Sequence, residues 1–230
     1  MVWSCLVSIL PGMAQTEKLT DYVNPFVGTD GYGNVYPGAQ IPFGGIQISP
    51  DTDSRFYDAA SGYKYNHLTL MGFSLTHLSG TGIPDLGDFL FIPGTGEMKL
   101  EPGTHEDPDQ GYRSRYSHDK EWASPNYYAV ELADYGVKAE MTSGVRSGMF
   151  RFTYPESDNA FIMIDMNHTL WQSCEWSNLR MINDSTITGY KLVKGWGPER
   201  HVYFTATFSK KLTGLRFVQD KKPVSYTHLT

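Results

Sequence analysis

"YAVELADYGVKAEMTSGVRSGMFRFTY" (Tyr128–Tyr154) carries the pattern on which the fold reading rests. Tyr128, Val130 and Leu132 alternate with Ala129, Glu131 and Ala133, then Asp134–Gly136 interrupts the run. Val137, Ala139 and Met141 next alternate with Lys138, Glu140 and Thr142. Successive side chains of an extended chain point to opposite faces, so this pattern predicts two half-buried strands joined by a tight turn. Phe150, Phe152 and Tyr154 alternate with Arg151 and Thr153 until Pro155, which has no N–H to give a ladder, ends the run.

The same signal continues outward. Ala160–Asp165 is a short apolar run, and Val202, Phe204, Ala206 and Phe208 alternate with Tyr203, Thr205 and Thr207. Phe89–Ile92 reads as a core strand. No segment of about ten residues or more shows clean helical periodicity. Strands separated by turn signals predict an all-β chain built as an antiparallel β-sandwich.

The first third differs. From Tyr22 to Thr95 the chain is rich in Gly and Pro; Pro25, Pro37 and Pro42 break any long element, while Phe26, Val27, Tyr32, Tyr36, Ile41 and Phe43 are interleaved. That apolar content argues for ordered, packed loops rather than disorder. Within this region "GFSLTHLSGTGIPDLGDFL" (Gly72–Leu90) places His77, Asp85 and Asp88 close together just before a strand.

Composition narrows the partners. The 230 residues carry a net charge of −6 and no basic cluster beside aromatics, which argues against nucleic acid. No apolar run is long enough to span a membrane. Aromatics make up 14% of the chain, a level that suits strands and also sugar-stacking surfaces. Residues 1–15 read as a signal-peptide remnant, with the apolar Met1–Leu10 followed by the small residues Gly12 and Ala14. Cys5 invites a lipoprotein reading, which Trp3 fits badly; with Cys5 set aside, only Cys174 remains and no internal disulfide can form. The expected location is outside the cytoplasm, periplasmic or on the cell surface of a bacterium.

Single motifs carry little chemistry. "GTDGYGN" (Gly28–Asn34) lacks the lysine and the strand–helix context of a phosphate loop. No HExxH, CxxC or EF-hand loop is present, so no metal ligands are assigned. His77 with Ser79 and Asp85 lacks the setting of a hydrolytic triad, because sequence proximity is not triad geometry. Asp85 and Asp88 read either as paired acids or, more simply, as turn-capping carboxylates. His77 reads as a loop-holding residue, since no ligand partner is identifiable.

Taken together, Asp21–Thr52, Ser61–Tyr65, Gly72–Gly96, Tyr116–Ser157 and Gly195–Lys210 closely resemble, in this order, the N-terminal domain of glycoside hydrolase family 92, a family of exo-acting α-mannosidases. The resemblance covers about Thr20 to Lys211. It implies a β-sandwich of the galactose-mutarotase-like (supersandwich) type over residues 20–222, followed by an (α/α)6 barrel beyond this chain. It also implies calcium-dependent hydrolysis with inversion, with the catalytic acids and most calcium ligands in that barrel. No catalytic residue is therefore assigned here, and the chain alone is expected to be inactive. The partners implied are a mannose-containing glycan and the barrel domain of the same polypeptide. Gly72–Leu90, Asn24–Gly45 and Arg55–Tyr65 would form the sandwich edge that meets the barrel, with Phe26, Tyr36 and Phe43 near the docking surface.

The substrate-binding candidates are Phe26, Asp30, Arg55, Asp58 and Ser61. Phe26 lies between Pro25 and Gly28, where the backbone can turn it toward a ligand, and Arg55 and Asp58 sit in a short segment between expected strands. A plain surface ion pair is the competing reading of Arg55 and Asp58. Ala59 and Ala60 stand where many relatives carry Trp and Cys, and residues 223–230 do not continue the family pattern and read as a non-native tail. Two other functions stay open. A stand-alone carbohydrate-binding sandwich would show an open aromatic platform on a sheet face. A mutarotase-like isomerase would need a His and a carboxylate converging in a concave face.

Overall fold

The computed structural model describes residues 17–54, 57–219 and 222–224. Residues 1–15 and most of the 223–230 segment therefore lie outside the described residues. In chain order the strands are β1 (Ser49–Asp51), β2 (Thr69–Leu70), β3 (Gly72–Ser74), β4 (Leu90–Thr95), β5 (Ser114–Arg115), β6 (Glu121–Ser124), β7 (Tyr127–Leu132) and β8 (Val137–Ser143). They continue with β9 (Gly148–Thr153), β10 (Ala160–Asp165), β11 (Ser173–Asn183), β12 (Thr186–Lys194), β13 (Arg200–Thr207), β14 (Phe217–Gln219) and β15 (Lys222–Val224). Among the described residues the only helical pieces are short 3-10 turns, so the chain is all-β.

The strands pair antiparallel into sheets β1-β3-β4-β10, β6-β7-β8-β9 and β11-β12-β13, with the ribbons β2-β5 and β14-β15. The hairpin read from the sequence forms in the expected register, with Val130 opposite Ala139 and Leu132 opposite Val137. Gly136 supplies the positive φ (63°) of its turn. The side chains expected to face inward do so. Tyr128, Val130, Leu132, Val137, Ala139 and Met141 join Phe73, Leu70, Tyr63 and Ile48 in one core.

Phe91 of β4 shows how the layers meet. Its ring lies 5.3 Å from Phe150 of β9 and 5.9 Å from Phe204 of β13, so two sheets reach the same face of β4. Leu90 and Ile92 point the other way, into a second small core with Met71 and Tyr112. The strands β11 and β12 were not legible as strands in the sequence. Register shifts between Cys174 and Trp176 and between Met181 and Asn183 break the alternation of β11. In β12 the inward-facing positions are Ile187, Gly189, Lys191 and Val193, so a glycine and a lysine stand where an apolar pattern would be sought. Gly189 is required there because a Cβ would lie 2.1 Å from the Phe204 ring.

Phe73 is fully buried between the layers, with Phe150 and Phe152 each 6.3 Å away. Phe73→Ala is expected to cost about 3–5 kcal/mol, read as a lower urea midpoint. Trp122→Ala on an outer face should change stability by less than about 1 kcal/mol.

Candidate functional site

The three glycine-rich segments meet. Tyr65 N–H donates to Thr29 O (2.9 Å), Gly80 N–H to Asn34 O (2.7 Å) and Gln47 N–H to Leu75 O (3.0 Å). The Lys64 ammonium donates to Gly31 O, and the Phe26 ring packs edge-on to Tyr65 with centroids 5.7 Å apart. Tyr63 anchors the middle segment to the sandwich, its hydroxyl donating to the buried Glu121 carboxylate of β6 at 2.9 Å. Tyr128 donates to the same Glu121 oxygen, and His118 Nδ1 stands 2.6 Å from the other. These bonds form the common edge that the sequence suggested, and they fix its loops through backbone groups that would otherwise be buried unpaired.

Two buried carboxylates hold this edge in place. The Asp88 and Lys191 side chains are both 0% exposed, with Nζ 3.0 Å from Oδ1. The Lys191 ammonium also donates to His168 O and lies 5.0 Å from the centre of the Phe89 ring. Arg200 and the Thr76 hydroxyl donate to Asp88 Oδ2 at 2.5 and 2.6 Å. Asp88 thereby ties the loop before β4 to both β12 and β13. Asp85 adds a backbone tie, accepting from Leu86 N–H (2.6 Å) and Trp196 N–H (2.9 Å). Asp85 and Asp88 are therefore structural anchors and not a pair of acids facing a common substrate.

Asp51 is the second carboxylate, 0% exposed at the end of β1, with His77 Nε2 2.7 Å from Oδ1 and His168 Nε2 2.7 Å from Oδ2. His77 Nδ1 lies 2.7 Å from Gln47 O, which can only accept, so Nδ1 carries hydrogen. The Asp51 carboxylate faces Nε2, so His77 and Asp51 form a buried pair, with the Ser74 hydroxyl 3.0 Å from the same nitrogen. Gly62 (φ 87°) packs directly on this pair, and a Cβ there would sit 2.2 Å from Asp51 Oδ1. That contact explains the glycine of the "SGY" stretch.

Burial raises the pKa of both carboxyls, and their close partners outweigh it. His77 and His168 hold Asp51, and Lys191 and Arg200 hold Asp88, well below the usual carboxylate range. His77 therefore has the loop-holding role expected of it, but its partners are Ser74 and Asp51 rather than Ser79 and Asp85. A His–carboxylate pair of the type an isomerase would use does form, yet His77 and Asp51 are shielded from any substrate.

The candidate substrate-binding residues fare differently. Phe26 is half-buried and packs against the core. Asp30 is exposed, its Oδ1 accepting from Gly31 N–H (2.8 Å). Ser61 is 0% exposed and its hydroxyl donates to Val35 O (3.1 Å), so it ties two loops and offers nothing to a ligand. Arg55 and the Asp58 side chain lie outside the described residues. Ala59 and Ala60 are buried. On the outside of the edge, Phe43 is fully exposed (103%) at a positive φ of 59°, and Tyr32 and Val27 are also exposed. A larger cleft, about 690 Å³, lies between Met181–Asp184 and Leu215–Phe217 and contains none of these groups.

Comparison with known proteins gives the chain relatives. Residues 22–229 match the glycosyl hydrolase family 92 N-terminal domain. The family GH92 alpha-mannosidase BT3965 from Bacteroides thetaiotaomicron, solved with mannoimidazole, is 99% identical, with a TM-score of 0.90 over 92% of this chain and 28% of that one. The GH92 glycosyl hydrolase ccman5 is 29% identical with a TM-score of 0.67, over 81% of this chain and 26% of its own. A protein of Arthroderma benhamiae described as an uncharacterized secreted glycosidase is 30% identical over 139 residues, 60% of this chain and 17% of that protein. The chain thus spans between about a sixth and three-tenths of the length of these relatives.

The anchoring role of Asp88 has two measurable consequences. Asp88→Asn leaves the Lys191 charge buried without its counter-ion and should cost about 3–5 kcal/mol in urea unfolding. Adding Lys191→Met should restore most of that loss. Because the folded-state pKa values of Asp51 and Asp88 are depressed, their stabilisation is complete above the unfolded carboxyl pKa of about 3.9 and is lost as pH falls through the folded values. The melting temperature should fall as pH drops below about 4, with a shallower fall in Asp88→Asn.

Proposed function

The chain belongs to glycosyl hydrolase family 92 as its N-terminal domain, and we propose that it serves an exo-α-mannosidase acting on mannose-containing glycans. Its part is to wall the sugar pocket and to dock the catalytic barrel. The observation that carries this reading is the glycine-rich edge. Loops bearing the family resemblance are pinned from inside by Asp51 and Asp88, while Phe43, Tyr32 and Val27 project outward. Large apolar side chains left exposed on a pinned edge support a docking surface there.

The chemistry follows from the reaction class. Inversion needs one acid to protonate the leaving oxygen and one base to activate water on the opposite face, about 6.5–9.5 Å apart. The buried Asp51 and Asp88 carboxylates are committed to His77, His168, Lys191 and Arg200, which leaves neither open to a substrate. This reading gives acid and base to the barrel, as the family resemblance implies, and leaves the edge to orient the sugar and exclude water. Calcium belongs to the same proposal. No step is assigned to it here; the family resemblance implies that most of its ligands lie in the barrel. Export to the periplasm or cell surface is likewise part of the reading, supported by the apolar Met1–Leu10 run.

A second reading has an observation in its favour. On the outer face of β11–β13, Tyr190 lies 5.1 Å from Trp176 and 4.7 Å from Tyr203, a clustered aromatic surface of the sort a stand-alone carbohydrate-binding sandwich would present.

Activity separates the two. The 230-residue chain alone should not release product from an aryl α-mannoside with calcium, whereas the polypeptide carrying its barrel should. Arg55→Ala and Asp58→Ala in that longer polypeptide are expected to lower kcat/KM by at least about tenfold with an unchanged melting temperature. Turnover by the 230-residue chain, or unchanged kinetics in both variants, would refute this division of labour.

A further inference from the structure

Asp30–Gly31 is the one place in the sequence where an Asp or Asn precedes a glycine. It lies in the first glycine-rich segment, and both residues are exposed. The Asp30 side chain folds back along the chain, so that Oδ1 accepts from Gly31 N–H at 2.8 Å. The carbon bearing that oxygen is the atom the Gly31 nitrogen would attack to close a five-membered ring. Among the described residues no backbone carbonyl accepts from Gly31 N–H, so no ladder or turn bond holds this amide away from the side chain. Gly31 sits at a φ of 58°, and nothing lies within 4 Å of the place where a Cβ would stand. A glycine there leaves the ring both the backbone freedom and the space it needs.

The chain on either side of this pair is tied. Thr29 O accepts from Tyr65 N–H (2.9 Å), and Asn34 O accepts from Gly80 N–H (2.7 Å). Between them Gly33 packs on Gly28, where a Cβ would stand 2.1 Å from Gly28 O. A main chain longer by one carbon has no slack to take up between these points.

We propose that Asp30–Gly31 is a self-modification site, at which the folded chain converts Asp30 to isoaspartate through a cyclic imide. In the first step Gly31 N bonds to Asp30 Cγ, and the amide hydrogen and the carboxyl OH leave together as water. In the second step water adds across the imide bond between the Asp30 main-chain carbonyl carbon and Gly31 N. That bond breaks, the main-chain carbon becomes a free carboxylate, and the chain runs on through Cβ and Cγ. One water leaves and one enters, nothing is oxidised or reduced, and the net charge is unchanged. Holding the nitrogen beside the carboxyl carbon raises the rate of such an attack. The product lengthens the backbone between Thr29 and Asn34 and loosens the glycine-rich edge. This inference stands apart from the mannosidase reading.

The test is ageing of the 230-residue chain in mildly acidic water enriched in heavy oxygen, followed by trypsin. The peptide Leu19–Arg55 should gain one heavy oxygen, located at Asp30 by fragmentation, and an isoaspartate-specific methyltransferase should label it. Asp30→Glu keeps the charge but needs a six-membered ring, so both signals should fall at least about tenfold. The free Leu19–Arg55 peptide is the reference, and the folded chain should label at no less than about a third of its rate. The separated isoaspartate form should melt below the parent. Labelling of the free peptide with none in the folded chain overturns the site, because the turn then protects Asp30. Equal labelling in Asp30→Glu puts the reaction elsewhere and overturns it too. An isoaspartate form that melts with the parent overturns the loosening of the edge.

Discussion

The Asp88 carboxylate is the constraint from which the arrangement of this domain follows. It sits just before β4, takes the charge of Lys191 from β12 and of Arg200 from β13, and receives the Thr76 hydroxyl from the glycine-rich edge. One buried group therefore joins the sheet β11-β12-β13 to the β1-β3-β4-β10 sheet and to the loops before it. Apolar contacts such as Phe91 with Phe204 bring the layers together but leave them free to slide. A buried ion pair specifies one register, because any other leaves a charge without a partner. Its net contribution to stability is modest, so its value here lies in fixing position.

Asp51 repeats the device one layer away. By bridging His77 and His168 it connects β1, the glycine-rich edge and the turn after β10, and Gly62 closes over it. The edge is thus rigid from beneath while its outer side chains are free to meet another surface. A wall for a sugar pocket needs this combination, since a loop that moves by an ångström loses the orientation that makes binding useful to catalysis. The turn that carries His168 continues directly into Trp171.

The sequence by itself determined the strands whose two faces see different solvents. Alternation at Tyr128–Leu132, Val137–Met141 and Val202–Phe208 followed from one-sided burial, and the turn at Asp134–Gly136 followed from backbone chemistry. It also determined the family, because several loop segments in fixed order are more specific than any one glycine motif. It indicated that three glycine-rich segments belong together, but not what holds them.

Only the tertiary structure decided the rest. β12 escaped the pattern because Lys191 and Gly189 face inward, one to meet Asp88 and one to make room for Phe204, residues distant in the chain. Ser61 looked like a site residue because a polar side chain in a glycine-rich loop suits function, yet the fold buries it as a tie; His77 was legible as a loop-holding residue, but its partner Asp51 was not. Periodicity records whether a position faces water or protein; it does not record which partner waits inside, and pairings of buried charges are made across the fold, where the local sequence has no information.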